Sequence, residues 1–403
     1  MSSQSLKLNQ KKDIPEGWKE EKLIDAVDFL DEKRKPIKNS DRSKMKGKYP
    51  YYGASGIIDY VDDYIFDDKL IILAEDGENI ISRSSRLAFQ ISGKVWINNH
   101  AHVLKPKNGN EPVFLAELLE SINYEQYNTG TAQPKLNKKT CSNILIKTPS
   151  PLEQTSISKL ISDTYQMLRQ LDLIIIKKRN IKEWVLQEIF TGKRRLNGFN
   201  EDWEIKKLDE ITQITSSKRI HVSDYVKNGI PFFRSTEIVG FFKTHKFNEK
   251  DFLYISEEKF HNLKSKFGVP TEGDILLTSV GTIGIPFLVP KKLILYFKDG
   301  NITWLRKIED VDSKYLYYFF QTNQFKKQAE FSIGGSTQIA LTITKLNKFQ
   351  ILLPKSQKEQ TTIANILSDL DAEIHGLEEK RDKYIMIKNG MMQKLLTGKI
   401  RLT

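Results

Sequence analysis

The stretch that decides the fold opens with Ser150-Pro-Leu-Glu-Gln-Thr155, closes with Thr191-Gly-Lys-Arg-Arg-Leu196, and occurs twice. Ser150–Leu196 aligns without a gap on Ser356–Leu402 at a constant offset of 206 residues. Identical pairs run along its length: Ser150/Ser356, Glu153/Glu359, Gln154/Gln360, Thr155/Thr361, Ile157/Ile363, Ser162/Ser368, Asp163/Asp369, Leu171/Leu377, Lys182/Lys388 and Gln187/Gln393. Both copies end in Thr-Gly-Lys-x-Arg-Leu. The copies lie about 160 residues apart with globular sequence between them, so duplication of a whole domain-plus-helix unit explains them better than a helical hairpin does.

Each copy carries the marks of one long helix. Ser150 with Glu153, and Ser356 with Glu359, have the Ser-x-x-Glu spacing of a capping box. Pro151 suits the first helical position, and Gly192 and Gly398 suit the left-handed residue that ends a helix. Between these marks only Gly376 and Gly390 interrupt good helix formers, and a helix of roughly 40 residues spans about 60 Å. Apolar residues recur in steps of four and three: Ile157, Ile161, Leu168, Leu171, Ile175, Val185 and Ile189 in one copy, Ile363, Leu367, Leu370, Ile374, Leu377, Met391 and Leu395 in the other. That spacing is a coiled-coil seam, so the two helices are expected to pack on each other. Lys178, Lys182, Arg381 and Lys388 weaken the seam near mid-helix, where they set register or meet another subunit.

Outside the repeat, residues 1–148 and 199–353 begin and end alike. Trp18 precedes Leu23 as Trp203 precedes Leu208, and Gly130-Thr-Ala-Gln133 is matched by Gly335-Ser-Thr-Gln338. Strand-like runs, Ile144–Ile146 and Phe349–Leu353, then lead into the helices. The interiors show no convincing alignment. The first contains Tyr49-Pro-Tyr-Tyr-Gly-Ala-Ser-Gly56, Leu70–Leu73, the turn Glu75-Asp-Gly77 and Lys94-Val-Trp-Ile-Asn-Asn-His-Ala-His102. The second contains Ile230-Pro-Phe-Phe-Arg-Ser-Thr236 and Gly273-Asp-Ile-Leu-Leu-Thr-Ser-Val-Gly-Thr-Ile-Gly284. Short β-branched and aromatic runs between Gly, Pro, Asn and Asp predict β-rich cores, with one helix near Val113–Leu119 and another near Lys314–Phe325. The fold class is therefore α+β: two globular mixed domains separated by two long antiparallel coiled-coil helices in a pseudo-twofold repeat. The segments are 1–148, 149–198, 199–353 and 354–403.

Composition agrees with a folded, polyanion-binding protein. Of 403 residues, 39% are hydrophobic and 28% charged, which suits a globular chain with a core, and the length favours more than one domain. The net charge of +12 favours partners that release counterions on neutralisation. Met1–Lys12 does not resemble a secretion signal and no run of eighteen apolar residues occurs, so a cytoplasmic protein without a membrane is expected. Cys141 is the single cysteine and reads as a small buried hydrophobe. His100 and His102 lack a third metal ligand nearby and read as structural histidines. Gly281-Thr-Ile-Gly284 lacks the lysine of a phosphate-binding loop and reads as a tight turn, and Glu257-Glu258-Lys259 reads as a charged surface helix rather than a nuclease triplet. No Asp-Pro-Pro-Tyr-like element for adenine methylation occurs.

The whole pattern resembles the specificity subunits of type I restriction-modification systems. The resemblance covers nearly the entire chain: two variable recognition domains alternate with two conserved helical regions that start like Pro-x-x-x-Glu-Gln and end like Thr-Gly-Lys-x-Arg-Leu. The second copy departs by one residue, reading Pro354-Lys-Ser-Gln-Lys-Glu-Gln360 against Pro149-Ser-Pro-Leu-Glu-Gln154. The resemblance implies a non-catalytic subunit that binds double-stranded DNA and recruits two DNA adenine methyltransferase subunits and restriction/translocase subunits. S-adenosylmethionine, ATP and Mg2+ would belong to those partners, with no cofactor on this chain.

Because the domain interiors differ, the expected target is two unlike short words with an unread gap, the helices acting as a ruler. Base discrimination needs Arg or Lys toward guanine, Asn or Gln toward adenine, and Ser or Thr toward either, carried on loops. In the first domain these are Tyr52, Ser55, Arg83, Arg86, Asn99 and Gln133, with Lys46 and Lys48 toward phosphate. In the second they are Arg219, Arg234, Ser235, Thr236, Thr282 and Gln338, with Lys218 and Lys243 toward phosphate. Gln133 and Gln338 form the matched pair.

Overall fold

The computed structural model describes residues 14–130, 133–333 and 340–402. The chain forms two compact units: one extends through Leu171 and takes in the chain from Arg381 onward, and the other is Asp172–Lys380. Each unit thus combines one globular segment with part of each long helix.

The strands of the first unit are β1 (Lys19–Lys22), β2 (Val27–Phe29), β3 (Lys46–Gly53), β4 (Gly56–Val61), β5 (Phe66–Ala74), β6 (Ala88–Ile97), β7 (Ala101–Pro106) and β8 (Leu145–Thr148). β1 pairs with β8, and the rest form a sheet ordered β2-β7-β5-β6-β3-β4. β5 lies inside that sheet and is covered on both faces. Ile71 and Leu73 join Leu23, Phe114, Leu115 and Leu119, while Leu70 and Ile72 join Ile91, Val95 and Val103. Double-sided burial explains why Leu70–Ala74 reads as an unbroken apolar run rather than an alternation. The expected helix spans Pro112–Glu120; the Glu111 side chain accepts from the Val113 N–H, and proline sits in the first turn.

The second unit contains β9 (Trp203–Lys207), β10 (Gln213–Thr215), β11 (Tyr225–Val226), β12 (Ile230–Phe233), β13 (Leu253–Ile255), β14 (Ile275–Thr278), β15 (Pro286–Leu288), β16 (Tyr296–Phe297), β17 (Ile302–Arg306) and β18 (Gln350–Pro354). β9 pairs with β18, and the other strands form two sheets ordered β10-β17-β14-β15 and β11-β13-β12-β16. This layout is the first unit's sheet divided. In the first unit β6 is one strand that pairs with β5 along Ala88–Val95 and then with β3 at Trp96 and Ile97. In the second unit those two jobs fall to β15 and β16, separated by a turn in which Lys292 takes φ 68°. That break, together with the segments inserted around it, hides the relation between the interiors from sequence alignment. The helix expected near Lys314–Phe325 is two, Ser313–Phe319 and Asn323–Ile333.

The long helices are Pro151–Phe190 and Gln357–Leu395, each continuous. In the first unit Ile157 and Ile161 share a core with Leu395 and Leu396; in the second Val185 and Ile189 share one with Ile363 and Leu367. Residue numbers rise on one helix as they fall on the other, as the pairs Lys178–Glu373 at 2.8 Å and Lys182–Asp371 at 2.6 Å also show. The packing in each unit is antiparallel. Among the seam residues Leu370, Leu377 and Met391 are only half-buried.

Gly192 and Gly398 take φ 69° and 66°, closing the long helices in the left-handed conformation that glycine adopts without a Cβ penalty. The capping box forms only in part. Ser150 Oγ accepts from the Glu153 N–H at 3.4 Å, but the Glu153 carboxylate does not turn back to the helix start. It takes a bidentate ion pair from Arg401, Nε to Oε1 2.8 Å and Nη2 to Oε2 2.9 Å. Glu359 does the same with Arg195, at 3.1 and 2.9 Å, and also accepts from Trp203 Nε1 at 3.2 Å. A buried carboxylate finds more in a guanidinium than in one backbone N–H, so the arginine takes it.

Candidate nucleic-acid interface

In each unit the loops that follow the central strands meet along one edge, and the backbone bonds that join them are the same in both. In the first unit Asn98 N–H donates to Tyr52 O at 3.0 Å, Glu75 N–H to His100 O at 3.0 Å, and Leu136 N–H to Glu75 O at 2.7 Å. In the second, Lys298 N–H donates to Phe233 O at 2.8 Å, Ser279 N–H to Asn301 O at 2.8 Å, and Leu341 N–H to Ser279 O at 2.9 Å. Isolated bridges Asp76↔Lys135 and Val280↔Ala340 complete the match.

Parallel pairing sets the correspondence residue by residue. Tyr51 faces Trp96 and Tyr52 faces Ile97, as Phe232 faces Tyr296 and Phe233 faces Phe297. Gly53-Ala-Ser55 therefore occupies the position of Arg234-Ser-Thr236, and Pro50 that of Pro231. Two stretches singled out separately in the sequence are one structural feature seen twice.

Among the first-domain candidates, the edge brings together Tyr52, Ser55, Asn99 and Gln133. Ser55, Asn99 and Gln133 are exposed on loops, and Tyr52 is half-buried with its ring 6.2 Å from Phe89. Burial, with a smaller effect of Tyr60, raises the Tyr52 pKa, so its phenol remains a neutral hydrogen-bonding group. Lys46 and Lys48 are at the opposite end of β3, about 20 Å along the strand from Ser55. Lys46 pairs with Asp59 at 2.7 Å and Lys48 lies over the Tyr49 ring at 5.4 Å.

Arg83 and Arg86 are placed elsewhere and are engaged within the fold. Arg83 ends a short helix at φ 51°, pairs with Glu120 at 3.1 Å and lies over the Tyr124 ring. Arg86 pairs with Glu117 at 2.6 Å and donates to Tyr165 Oη at 2.9 Å on the first long helix. Arg83 thus holds its short helix to Glu120 and Tyr124 within the domain, and Arg86 ties the domain to the long helix.

In the second domain Arg234, Ser235, Thr236 and Thr282 belong to the edge. Ser235 Oγ donates to Asn301 O at 3.3 Å, and Thr282 is exposed on a loop whose carbonyl accepts from Thr278 Oγ1 at 2.5 Å. Arg234 is the N-cap residue of its helix, its backbone N–H donating to Glu237 Oε2 at 2.6 Å while its guanidinium donates from Nε to Glu237 Oε1 and from Nη2 to Asp251 O, both at 3.1 Å. Lys218 and Arg219 sit on a segment anchored where Lys218 N–H donates to Tyr296 Oη at 2.9 Å, and Arg219 pairs with Asp299 at 3.1 Å while its side chain stays 72% exposed. Lys243 is exposed farther along the helix Ser235–Thr244. Gln338 lies outside the described residues. Gly281 and Gly284 take φ 78° and 81°, as a tight turn requires.

The matched geometry also identifies cations that sequence reasoning missed. Trp96, the counterpart of Tyr296, donates from Nε1 to Lys35 O at 2.6 Å, and Ile37 N–H donates to Tyr51 Oη at 3.1 Å. Exposed Lys35 and Lys38 thus lie on a segment held against Trp96 and Tyr51 as the segment of Lys218 and Arg219 is held against Tyr296. The basic run Lys33-Arg-Lys-Pro-Ile-Lys38 was the available signal.

The globular domains are held to the long helices by the repeated glutamine, at the end of the sheet away from the loop edge. Gln154 Oε1 accepts from Glu111 N–H at 2.9 Å, and its Nε2 donates to Asn110 Oδ1 at 2.8 Å and Pro149 O at 3.1 Å. Gln360 repeats this, accepting from Asp312 N–H at 2.8 Å and donating to Pro354 O at 2.8 Å. Glu111 and Asp312 are the N-caps of corresponding helices, so one glutamine fastens each recognition domain to its long helix.

One loop-bearing frame, built twice from unlike side chains and latched to repeated helices, defines a duplicated recognition protein. The type I restriction modification DNA specificity domain matches residues 15–178 and again 200–385, and the chain belongs to that family of specificity subunits. It is 30% identical over 366 residues to the type I restriction enzyme specificity subunit S.HindORF215P of Haemophilus influenzae, covering 90% of this chain and 89% of that protein. It is 26% identical over 415 residues to the MjaVIII specificity subunit of Methanocaldococcus jannaschii, covering 96% and 94%. The crystal structure of a type I restriction-modification S subunit from M. genitalium shares the fold at a TM-score of 0.63 and 16% identity, over 97% of this chain and 98% of that one. No helix among the described residues is long and apolar enough to cross a membrane.

Proposed function

We propose that the chain reads an asymmetric, bipartite site in double-stranded DNA, one short word per recognition domain. The observation that carries this reading is the pair of loop edges, alike in backbone and unlike in side chains. Tyr52, Ser55, Asn99 and Gln133 offer hydroxyl and amide groups, with Lys35 and Lys38 toward phosphate. In the second domain Ser235, Thr236 and Thr282 offer hydroxyls, with Lys218 and Arg219 beside them. Loop edges joined by the same backbone bonds would present the two sets of groups alike to a duplex, and different groups read different bases.

The long helices set the spacing between the words. One turn of B-DNA is about 34 Å, so a spacer of up to about 60 Å separates the contacted segments by one turn or more. The chain itself performs no chemistry. It recruits two adenine methyltransferase subunits and restriction/translocase subunits, which bring S-adenosylmethionine, ATP and Mg2+. Among the described residues no cluster of His, Cys, Asp and Glu has the geometry to hold a metal ion.

Selection of bound duplexes from a random pool by the chain together with its methyltransferase partner tests the reading. The expected product is two fixed words flanking an unspecified gap of constant length. A single word, a palindrome or no enrichment overturns it. Incubation of the chain alone with DNA and labelled methyl donor is expected to give no transfer.

A further inference from the structure

The first recognition edge rests on a buried charged cluster that the described residues of the second do not form. His102 on β7 is 1% exposed and sits beneath the junction of the 75–77 loop and residues 133–136. Its Nδ1 lies 2.7 Å from Asp31 Oδ2 and its Nε2 lies 2.8 Å from Leu136 O. A carbonyl oxygen can only accept, so Nε2 carries a proton. Asp31 already accepts from Val103 N–H at 2.9 Å and has Arg34 3.8 Å away, so it is an ionised acceptor and Nδ1 donates to it. Around this pair Glu75 Oε2 stands 3.9 Å from the ring, itself bound by Arg34 at 2.7 Å and Lys135 at 3.4 Å. The Cys141 thiol and the edge-on Phe29 ring, 5.7 Å between centroids, close the site.

Register identifies the counterpart. Leu73 faces His102 as Leu277 faces Thr303, and Glu75 corresponds to Ser279 through their shared backbone partners. In the second domain this position holds a hydroxyl pair, Ser279 Oγ to Thr303 Oγ1 at 2.5 Å. The acid and the imidazole have been exchanged together for two hydroxyls.

We propose that His102 is the positioning residue of the first recognition edge: donating from both ring nitrogens, it ties the Leu136 carbonyl, at the foot of the Gln133 loop, to Asp31 and so fixes the loops that read the first word. This rests on the DNA-reading function proposed above. Through Leu136 N–H to Glu75 O and Gly77 N–H to Pro134 O at 3.1 Å, the clamp reaches the 75–77 loop, whose Glu75 N–H in turn bonds His100 O beside Asn99. Losing one donor leaves a buried acceptor unpaired, and the loops can then take more than one arrangement.

Two measurements test this. The first is nitrogen NMR of the full chain at pH 8, with the His102→Gln variant assigning the signals: both His102 ring nitrogens are expected to carry protons, and a neutral ring overturns the proposal whether or not the chain reads DNA. The second is selection of bound DNA by the variant with the methyltransferase partner. Discrimination at positions of the first word is expected to fall about tenfold per affected base while the second word is read as before, since the described residues of the second edge carry a hydroxyl pair at this position. Unchanged reading of the first word, or equal loss at both words, overturns the proposal. Asp31→Asn, which keeps the shape and removes the charge, is expected to give the same one-sided loss and serves if His102→Gln does not fold. A native chain that selects no bipartite site refutes the functional reading instead.

Discussion

Glu359 is fully buried and is held by one guanidinium and one indole. Arg195→Ala leaves that carboxylate inside the protein without its charge partner, a type of change that costs about 3 kcal/mol, toward the lower end here because the arginine is partly exposed. Urea unfolding of the variant measures it, and Arg401→Ala is expected to act alike through Glu153, whose pKa the Arg401 hydrogen bond holds below the ordinary carboxylate value. His102 supplies a pH dependence. Burial pushes its pKa down, but the hydrogen bond to Asp31 and the Cys141 sulfur outweigh it and lift it from 6.5 to about 10. A raised folded-state pKa stabilises fully below about pH 6.5, and that contribution is lost as pH rises through about 10. The stability gap between the native chain and His102→Gln is therefore expected to narrow across that window, and a gap that widens with pH contradicts it.

At the scale of elements, glycines separate propensity from packing. Gly376 and Gly390 lie inside the second long helix at ordinary helical φ, with nothing within 4 Å of an added Cβ. Gly376→Ala and Gly390→Ala should each stabilise by about 0.5–1 kcal/mol in chemical denaturation. Gly284 is the opposite case: at φ 81°, an added Cβ would sit 2.8 Å from Phe325, so Gly284→Ala should destabilise and shift the Thr282 loop. The helices themselves were legible because caps, period and repeat all act locally. Lys182 in the seam shows what was not: it meets Asp371 at 2.6 Å and Gln321 at 3.0 Å, partners that no helical period announces.

For the whole molecule the expectations concern modularity. Replacing residues 1–148 by the corresponding domain of a relative should change one word of the selected site and leave the other, and a change in both would refute independent reading heads. Lengthening both long helices by one heptad, about 10 Å, should widen the gap by about three base pairs. An unchanged gap would mean that the helices do not set it.

The amino-acid order by itself determined the duplication, the two long helices with their glycine ends, the apolar seam and the presence of two unlike β-rich domains. Each of these depends on neighbours within a few turns or on identity between distant copies. Tertiary structure alone decided which polar residues share an edge. It gathered Tyr52, Ser55, Asn99 and Gln133 while committing Arg86 to Glu117, turned Glu153 from its own helix cap to Arg401, 248 positions away, and held the segment of Lys35 against Trp96 as that of Lys218 is held against Tyr296. An arginine or glutamate takes whichever buried partner the fold brings nearest, and sequence spacing carries no record of that distance.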